Sequence, residues 1–343
     1  MIRRVFLARV GVLQSLLLLL VLPPGSASAQ KEKALKTENV FLITTDGLRW
    51  QELFTGADAD LIAHEKFTRN PQALKKEYWR ATPEARREAL MPFFWNVIAE
   101  KGQIYGNRNL GCEVDVTNNM WFSYPGYNEI FTGHADDERI HSNDKVPNPN
   151  VTVLEFVNQQ DGFQGKVAAT ATWDVFPFII NAERSGIRVE AGHPDATTQE
   201  LALKILKEDA PRLLYVSYGN TDHSAHEEEY DVYLDSAHTV DGYIRDLWEY
   251  AQSTPQYQGK TTFIITTDHG RGLGKEWTSH GRKIAHSNEM WIAVLGPDTP
   301  ARGEIASGHY TQSQVARTVA AFLDLEYAGK PEAGRLLESS MEH

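Results

Sequence analysis

The chain has 343 residues, a formal net charge of −12 and a single cysteine. A balance this acidic argues against a nucleic-acid backbone as partner, and no basic run offers a nucleic-acid-binding surface. Cys112, being alone, allows no internal disulfide and no thiolate metal cluster, so metal chemistry falls to histidine and carboxylate; the residue itself reads as a small buried hydrophobe.

The N-terminus carries a targeting pattern. Arg3, Arg4 and Arg9 precede an apolar run from Val10 to Leu22, and Ala27-Ser28-Ala29 forms a small-residue cleavage site before Gln30. The run is shorter than the ~20 residues of a membrane span, and Pro23-Pro24-Gly25 breaks it. Residues 1–29 are therefore expected to be a signal peptide, removed on export to a periplasm or the medium. No membrane anchor would remain, and losing three arginines takes the charge from −12 to −15. About 310 residues are left, ample for a large core.

Gln30–Glu38 reads as a polar arm and Val40–Thr45 as the first strand. From about Asp58 to Glu100 the chain turns charged and helix-forming, with Thr82-Pro83-Glu84 as a helix start; two or three helices are expected here, an insertion able to cover a site. Ile104-Tyr105 is a short predicted strand, Ser123–Phe131 a helix, and Asp136–Asn150 an Asn/Pro-rich loop. A helix over Thr152–Gln159, a strand over Val167–Thr172, a helix over Gln199–Lys207 and a strand over Leu213–Tyr218 follow. Within Tyr230–Tyr250, Tyr233, Leu234, Ala237, Val240, Ile244, Leu247 and Trp248 recur at helical spacing and mark a core face. Strands are predicted over Ile264–Thr267 and Met290–Leu295. The last helix is predicted over Thr311–Leu323, with Thr311 and Gln314 as a capping box. Strands alternating with helices predict an α/β fold, a mostly parallel central sheet with helices on both faces, in a single domain over 30–343.

Residues able to do chemistry gather at predicted strand ends. Phe41-Leu-Ile-Thr-Thr-Asp46-Gly47 returns as Phe263-Ile-Ile-Thr-Thr-Asp268-His269-Gly270. In open α/β sheets ligands bind beyond such ends, although a strand-end Asp-Gly is also an ordinary turn, the simpler reading of Asp46 alone. Asp222 and His226 follow another strand, with His223 as a rival to His226. His309, in Gly308-His309-Tyr310, reads alone as a loop histidine. Three aspartates and three histidines suit two divalent ions, zinc first, with manganese or iron also fitting. Paired ions activate a nucleophile and clamp the oxygens of a displacement. Ser123 opens a predicted helix just before Pro125 and Gly126. It is either a plain N-cap or a nucleophile placed where a helix start favours a phosphate-like anion.

Taken in order, Thr45-Asp46-Gly47, the block from Ser123 to Thr132-Gly133, Asp222 with His226, Thr267-Asp268-His269-Gly270 and the late His309 resemble the alkaline phosphatase superfamily. Within it they resemble the nucleotide pyrophosphatase/phosphodiesterase-like, sulfatase-related branch. The resemblance implies one metal held by Asp222, His226 and His309. It implies a second held by Asp46, Asp268 and His269 together with the nucleophile, a place taken here by Ser123. It also implies an Asn that holds a substrate oxygen, for which Asn143 is the nearest positional match. The implied activity is hydrolysis of small phosphoric esters through a phosphoseryl intermediate. The block departs from the pattern at Gly126, where phosphodiesterases carry Asn. Tyr127 stands where formylglycine sulfatases need Arg, and Gly47 where they carry a second Asp, which disfavours that type of sulfatase. Thr278-Ser279-His280-Gly281 is similar to a sulfatase segment and makes His280 a candidate substrate contact. A sulfatase, phosphonate hydrolase or phosphoryl transferase on the same fold is the alternative within enzymes; a non-catalytic metal-holding protein is the alternative of another class.

Overall fold

The computed structural model describes Met1 and residues 34–342; apart from Met1, the predicted leader lies outside the described residues. Ala34–His343 form one compact unit. Among the described residues ten strands occur in chain order: β1 (Asn39–Thr45), β2 (Gln103–Tyr105), β3 (Cys112–Asp115), β4 (Val167–Ala171), β5 (Arg188–Ala191), β6 (Leu213–Tyr218), β7 (Thr261–Thr266), β8 (Ile292–Leu295), β9 (Gly303–Glu304) and β10 (Gly308–Thr311). Eight form one sheet in the order β5-β4-β6-β1-β7-β8-β2-β9, and β10 pairs with β3 as a separate ribbon. From β5 to β7 every pairing is parallel; β8 runs antiparallel to β7 and β2.

The central strands β1, β6 and β7 are buried at every position because both faces are covered, as parallel sheets require. Phe41 and Ile43 of β1 enter one cluster with Val216, Phe263 and Ile265 and the buried face of the Tyr230–Ser253 helix. Val40 and Leu42 enter the other with Tyr215 and Ile264, beneath the Ser123–Thr132 and Gln314–Phe322 helices. The α/β architecture with helices on both faces is as expected.

The 58–100 segment forms helices at Ala59–Ala63, Pro71–Tyr78 and Pro83–Leu90, whose starts are written in the sequence, followed by a helical stretch through Phe94–Ile98 and Ala99–Lys101. Asp58, Asn70 and Thr82 accept the first free N–H groups, and Pro71 and Pro83 occupy the first helical positions. The segment is a second layer on the long helix. Tyr78 hydroxyl donates to Asp235, and the buried Asp241 carboxylate accepts the N–H groups of Phe93 and Phe94 at 2.7 and 2.8 Å. Burial pushes the Asp241 carboxyl up to about 6.

Three local expectations change. The last helix begins at Gln314, because Thr311 belongs to β10. Half of the capping box forms: Gln314 Oε1 accepts the Thr311 N–H at 2.9 Å, while the Thr311 hydroxyl bonds Ser313. The β3–β10 ribbon, unmarked by any long apolar run, places His309 in a strand opposite Glu113. Among the described residues no helix is long and apolar enough to cross a membrane.

Candidate active site

The doubled phrase pairs with itself. Phe41 lies opposite Phe263, Leu42 opposite Ile264, Ile43 opposite Ile265 and Thr44 opposite Thr266, so Asp46 and Asp268 leave the sheet side by side. On the other flank β6 runs in register with β1 as far as Tyr218, and the Asn220–His226 helix starts at once. Buried Asp195 fixes that start: its carboxylate accepts the N–H of Gly219 at 2.8 Å and of Asn220 at 3.2 Å. Asp222 and His226, one helical turn apart, then face the same way, with His226 Nε2 3.4 Å from Asp222 Oδ2. His223 and His226 are both exposed, but the approach of His226 Nε2 to Asp222 separates the two.

Asp46, Asp268 and His269 form a buried group whose ligand atoms lie within 4.8 Å of one another. Each side chain is held by one atom and offers another. Tyr127 hydroxyl donates to Asp46 Oδ2 at 2.9 Å, and the Gly47 N–H donates to Asp268 Oδ1 at 3.0 Å. Asp46 Oδ1 and Asp268 Oδ2 are buried and lack any hydrogen-bond partner among the described residues. His269 Nδ1 sits 2.9 Å from the Gly270 carbonyl, which can only accept, so Nδ1 carries a proton and the neutral ring presents its lone pair at Nε2. That Nε2 is 3.5 Å from Asp46 Oδ1, 3.4 Å from Asp268 Oδ2 and 3.4 Å from Ser123 Oγ. Two orphaned buried carboxylate oxygens and a bare imidazole nitrogen converging on one point fit a divalent cation.

Electrostatics agree. Burial, then the charges of Asp268 and Asp222, push the Asp46 carboxyl well above the usual range. Burial likewise raises Asp268. Asp222 goes the other way: burial would raise it, but the Arg271 guanidinium and then the neighbouring histidines hold it well below the usual range. Burial lowers the imidazoles of His226 and His280, keeping both neutral and able to ligate.

Ser123 is the first residue of its helix. Phe122 takes the N-cap position, and the Ser123 hydroxyl makes no capping bond. Tyr127, one turn on, uses the same helix face to reach Asp46. The loop before Ser123 is pinned from behind by Glu129, fully buried, whose carboxylate accepts the N–H groups of Thr117 and Asn118 and the Asn118 side-chain amide. Trp121 adopts φ 56°, an uncommon conformation for a large side chain, with its carbonyl 3.3 Å from His280 Nδ1. Asn143 Oδ1 accepts the Tyr124 N–H at 3.0 Å, which sets the exposed Asn143 beside the start of this helix.

His280 and His309 exchange places relative to expectation. His280 Nε2 lies 2.9 Å from His226 Nε2 and 3.6 Å from Asp222 Oδ1, and its ring stacks on His269 at 3.9 Å. With Nδ1 donating to the Trp121 carbonyl, its Nε2 is free to ligate. The expected trio Asp222–His226–His309 is not assembled, since strand pairing sets His309 Nε2 on Asp115 Oδ2 at 2.9 Å with the side chain 61% exposed. Asp222 and His280 instead fall with His269 in one group of possible cation ligands, and His226 Nε2 lies beside them, 3.4 Å from Asp222 Oδ2. Two further roles at the site escaped the sequence reading, those of Tyr127 on Asp46 and of Arg271 on Asp222. Tyr127 could have been found from its one-turn spacing to Ser123, and Arg271, which contacts Asp222 Oδ1, directly follows Asp268-His269-Gly270.

A parallel sheet that delivers carboxylates, histidines and a helix-start serine to one edge defines the alkaline phosphatase-like class. The family model described as type I phosphodiesterase/nucleotide pyrophosphatase matches residues 58–290, and the chain belongs to that family of phosphoester hydrolases. Similar solved structures include murine ectonucleotide pyrophosphatase/phosphodiesterase 5, at 11% identity over 89% of this chain and 100% of that one, with a TM-score of 0.57. An inactive form of the same murine protein in complex with AMP matches at 12% identity over 84% and 96%, with a TM-score of 0.53. The lipoteichoic acid synthase LtaP from Listeria monocytogenes matches at 10% identity over 86% and 74%, with a TM-score of 0.59. A 2-O GAG sulfatase matches at 11% identity over 89% and 74%, with a TM-score of 0.60. At such identities these likenesses show the shared fold. No curated protein matches the sequence.

Proposed function

We propose that the protein is an exported hydrolase of small phosphoric esters in which Ser123 is the nucleophile and the phosphoryl group passes through a phosphoserine. The observation that carries the reading is the convergence of orphaned Asp46 Oδ1 and Asp268 Oδ2 with His269 Nε2, which itself lies 3.4 Å from Ser123 Oγ. Asp46, Asp268 and His269 would hold one divalent ion and Asp222, His226 and His280 the other. Zinc suits these donors first, and manganese or iron also fits. Bound there, such ions lower the pKa of an adjacent hydroxyl and neutralise phosphoryl charge. Ser123 Oγ attacks phosphorus, the bond to the ester oxygen breaks, and water then cleaves the Ser123 Oγ–phosphorus bond. Asn143, whose Oδ1 is committed to the Tyr124 N–H, directs its NH₂ elsewhere and is the proposed donor to a phosphoryl oxygen. The AMP complex of the murine neighbour supports a phosphoric ester as substrate.

Tyr127 argues against formylglycine chemistry, because its hydroxyl is already spent on Asp46. A metal-holding binding protein would have no use for a serine hydroxyl beside the cation site. We also assign residues 1–29 as the cleaved leader and 30–343 as one catalytic domain.

The histidine assignment is tested by equilibrium dialysis against zinc and elemental analysis. His280→Ala is expected to lose one cation equivalent, and His309→Ala to keep both; the reverse pattern would restore His309 to the site.

A pH dependence follows from the raised Asp46 and Asp268. Because folding raises both pKa values, their ionisation opposes folding. That cost is absent below the usual carboxylate range and grows as pH rises through the raised values. A cation removes the cost, so the zinc-induced rise in Tm should be larger at about pH 8 than at about pH 5. An equal rise at both would contradict the ligand set.

A further inference from the structure

We propose that Arg271 makes the two cation positions unequal, acting as a resident positive charge on Asp222 so that one ion is held tightly and the other weakly. The inference rests on the two-cation reading above. Its ground is the way Arg271 is fixed. The side chain is fully buried, with Nε donating to the Trp277 carbonyl at 2.8 Å and Nη2 to the Thr278 carbonyl at 2.7 Å. These two bonds set the guanidinium plane, and Nη1 then meets Asp222 Oδ1.

The group cannot swing away to admit an ion. Gly272 N–H donates to the Ser279 carbonyl at 3.1 Å, closing the loop, and Arg49 Nη1 donates to the Gly272 carbonyl at 2.9 Å. Any Cβ at Gly272 would lie 2.5 Å from the Glu276 carbonyl oxygen. Trp277 is fully buried among Phe67, Tyr230 and Tyr233, at ring distances of 5.7, 5.1 and 5.4 Å. Gly47 completes the enclosure, since a Cβ there would come within 2.9 Å of both Arg271 Nη1 and Asp222 Oδ1.

The two positions therefore differ in charge. Among the described residues Asp46 and Asp268 each keep one oxygen without a partner, and no Lys or Arg side chain bonds either carboxylate. At the other position the lone carboxylate already faces a buried cation, and the remaining donors are two imidazoles. A fixed like charge sheltered from salt repels an incoming divalent ion far more than a surface charge would. Arg271 also supplies standing positive charge that a second tightly held ion would otherwise bring to a phosphoryl group.

The test is titration of metal-free protein with zinc against a chromophoric chelator. Wild type is expected to show two affinities at least about tenfold apart, with Asp222→Asn removing the weaker and sparing the tighter. Arg271→Met should strengthen the weaker one and narrow the gap, and Arg271→Lys should keep it. Two wild-type affinities within about threefold of each other would overturn the inference while leaving the two-cation reading intact, and so would an unchanged gap in Arg271→Met. Absence of zinc binding by wild type would overturn both. If Arg271→Met does not fold, the wild-type and Asp222→Asn titrations decide.

Discussion

Replacing Ser123 with alanine is expected to lower turnover of phosphoric esters by about four orders of magnitude or more, while leaving bound cations in place. The two halves of that expectation have separate causes. Loss of Oγ removes the atom that would bond to phosphorus, and among the described residues no other hydroxyl hydrogen-bonds His269 Nε2. Asp46, Asp268 and His269 keep every other contact, so the cradle for the cation survives. Stability should barely change, within about 0.5 kcal/mol, because the Ser123 hydroxyl caps nothing; Phe122 holds the N-cap position. A folded, metal-loaded Ser123→Ala protein with normal activity would remove Ser123 from the mechanism.

The second large effect is expected at Gly126. A Cβ at this position would lie 2.4 Å from the Asp268 carbonyl oxygen and 3.1 Å from its carbonyl carbon. These are backbone atoms at the end of β7, so neither partner can rotate out of the way. Gly126→Ala must push the Ser123 helix off the strand end that carries Asp268 and His269. Overpacking of this kind costs about 2 kcal/mol, outweighing the gain in helix propensity of about 1 kcal/mol. A displacement of ~1 Å at the nucleophile costs about 100-fold in rate, so kcat should fall by at least that much in protein that is still folded. Unchanged kcat and Tm would show that the helix does not need this close approach. The same contact explains a departure visible in the sequence: Asn, the residue phosphodiesterases carry here, has no room against the Asp268 carbonyl.

The strands and the paired aspartates were legible because their causes are local. β1, β6 and β7 are short runs rich in β-branched, leucine and aromatic residues and buried throughout, and β6 falls on its predicted limits, Leu213–Tyr218. The likeness of Phe41–Asp46 to Phe263–Asp268 marked two strand ends delivering the same side chain, and the register between β1 and β7 sets them beside each other. The long helix announced itself through its apolar face, and the insertion through its charged, helix-forming composition and the start at Thr82-Pro83-Glu84.

What the sequence concealed depends on contacts between distant segments. His309 looked like a late loop histidine in the family's order. Its position is decided by pairing of β10 with β3, nearly 200 residues earlier, through strands too short and too exposed to show an apolar pattern. His280 lies in an irregular loop, and its entry into the ligand group depends on the Trp121 carbonyl and on the cage around Trp277. Arg271 was hidden for another reason. A charged residue after a glycine reads as exposed, and nothing nearby announces that two loop carbonyls and Asp222 will bury it.

The most direct measurement is turnover by the metal-reconstituted protein on matched chromogenic phosphate diester, phosphate monoester, sulfate and phosphonate substrates. Cleavage of a phosphate ester well above the sulfate rate, dependent on added divalent metal and lost in Ser123→Ala, is the predicted result. Preference for the sulfate, or no turnover of any of the four with both cations bound, would contradict the account.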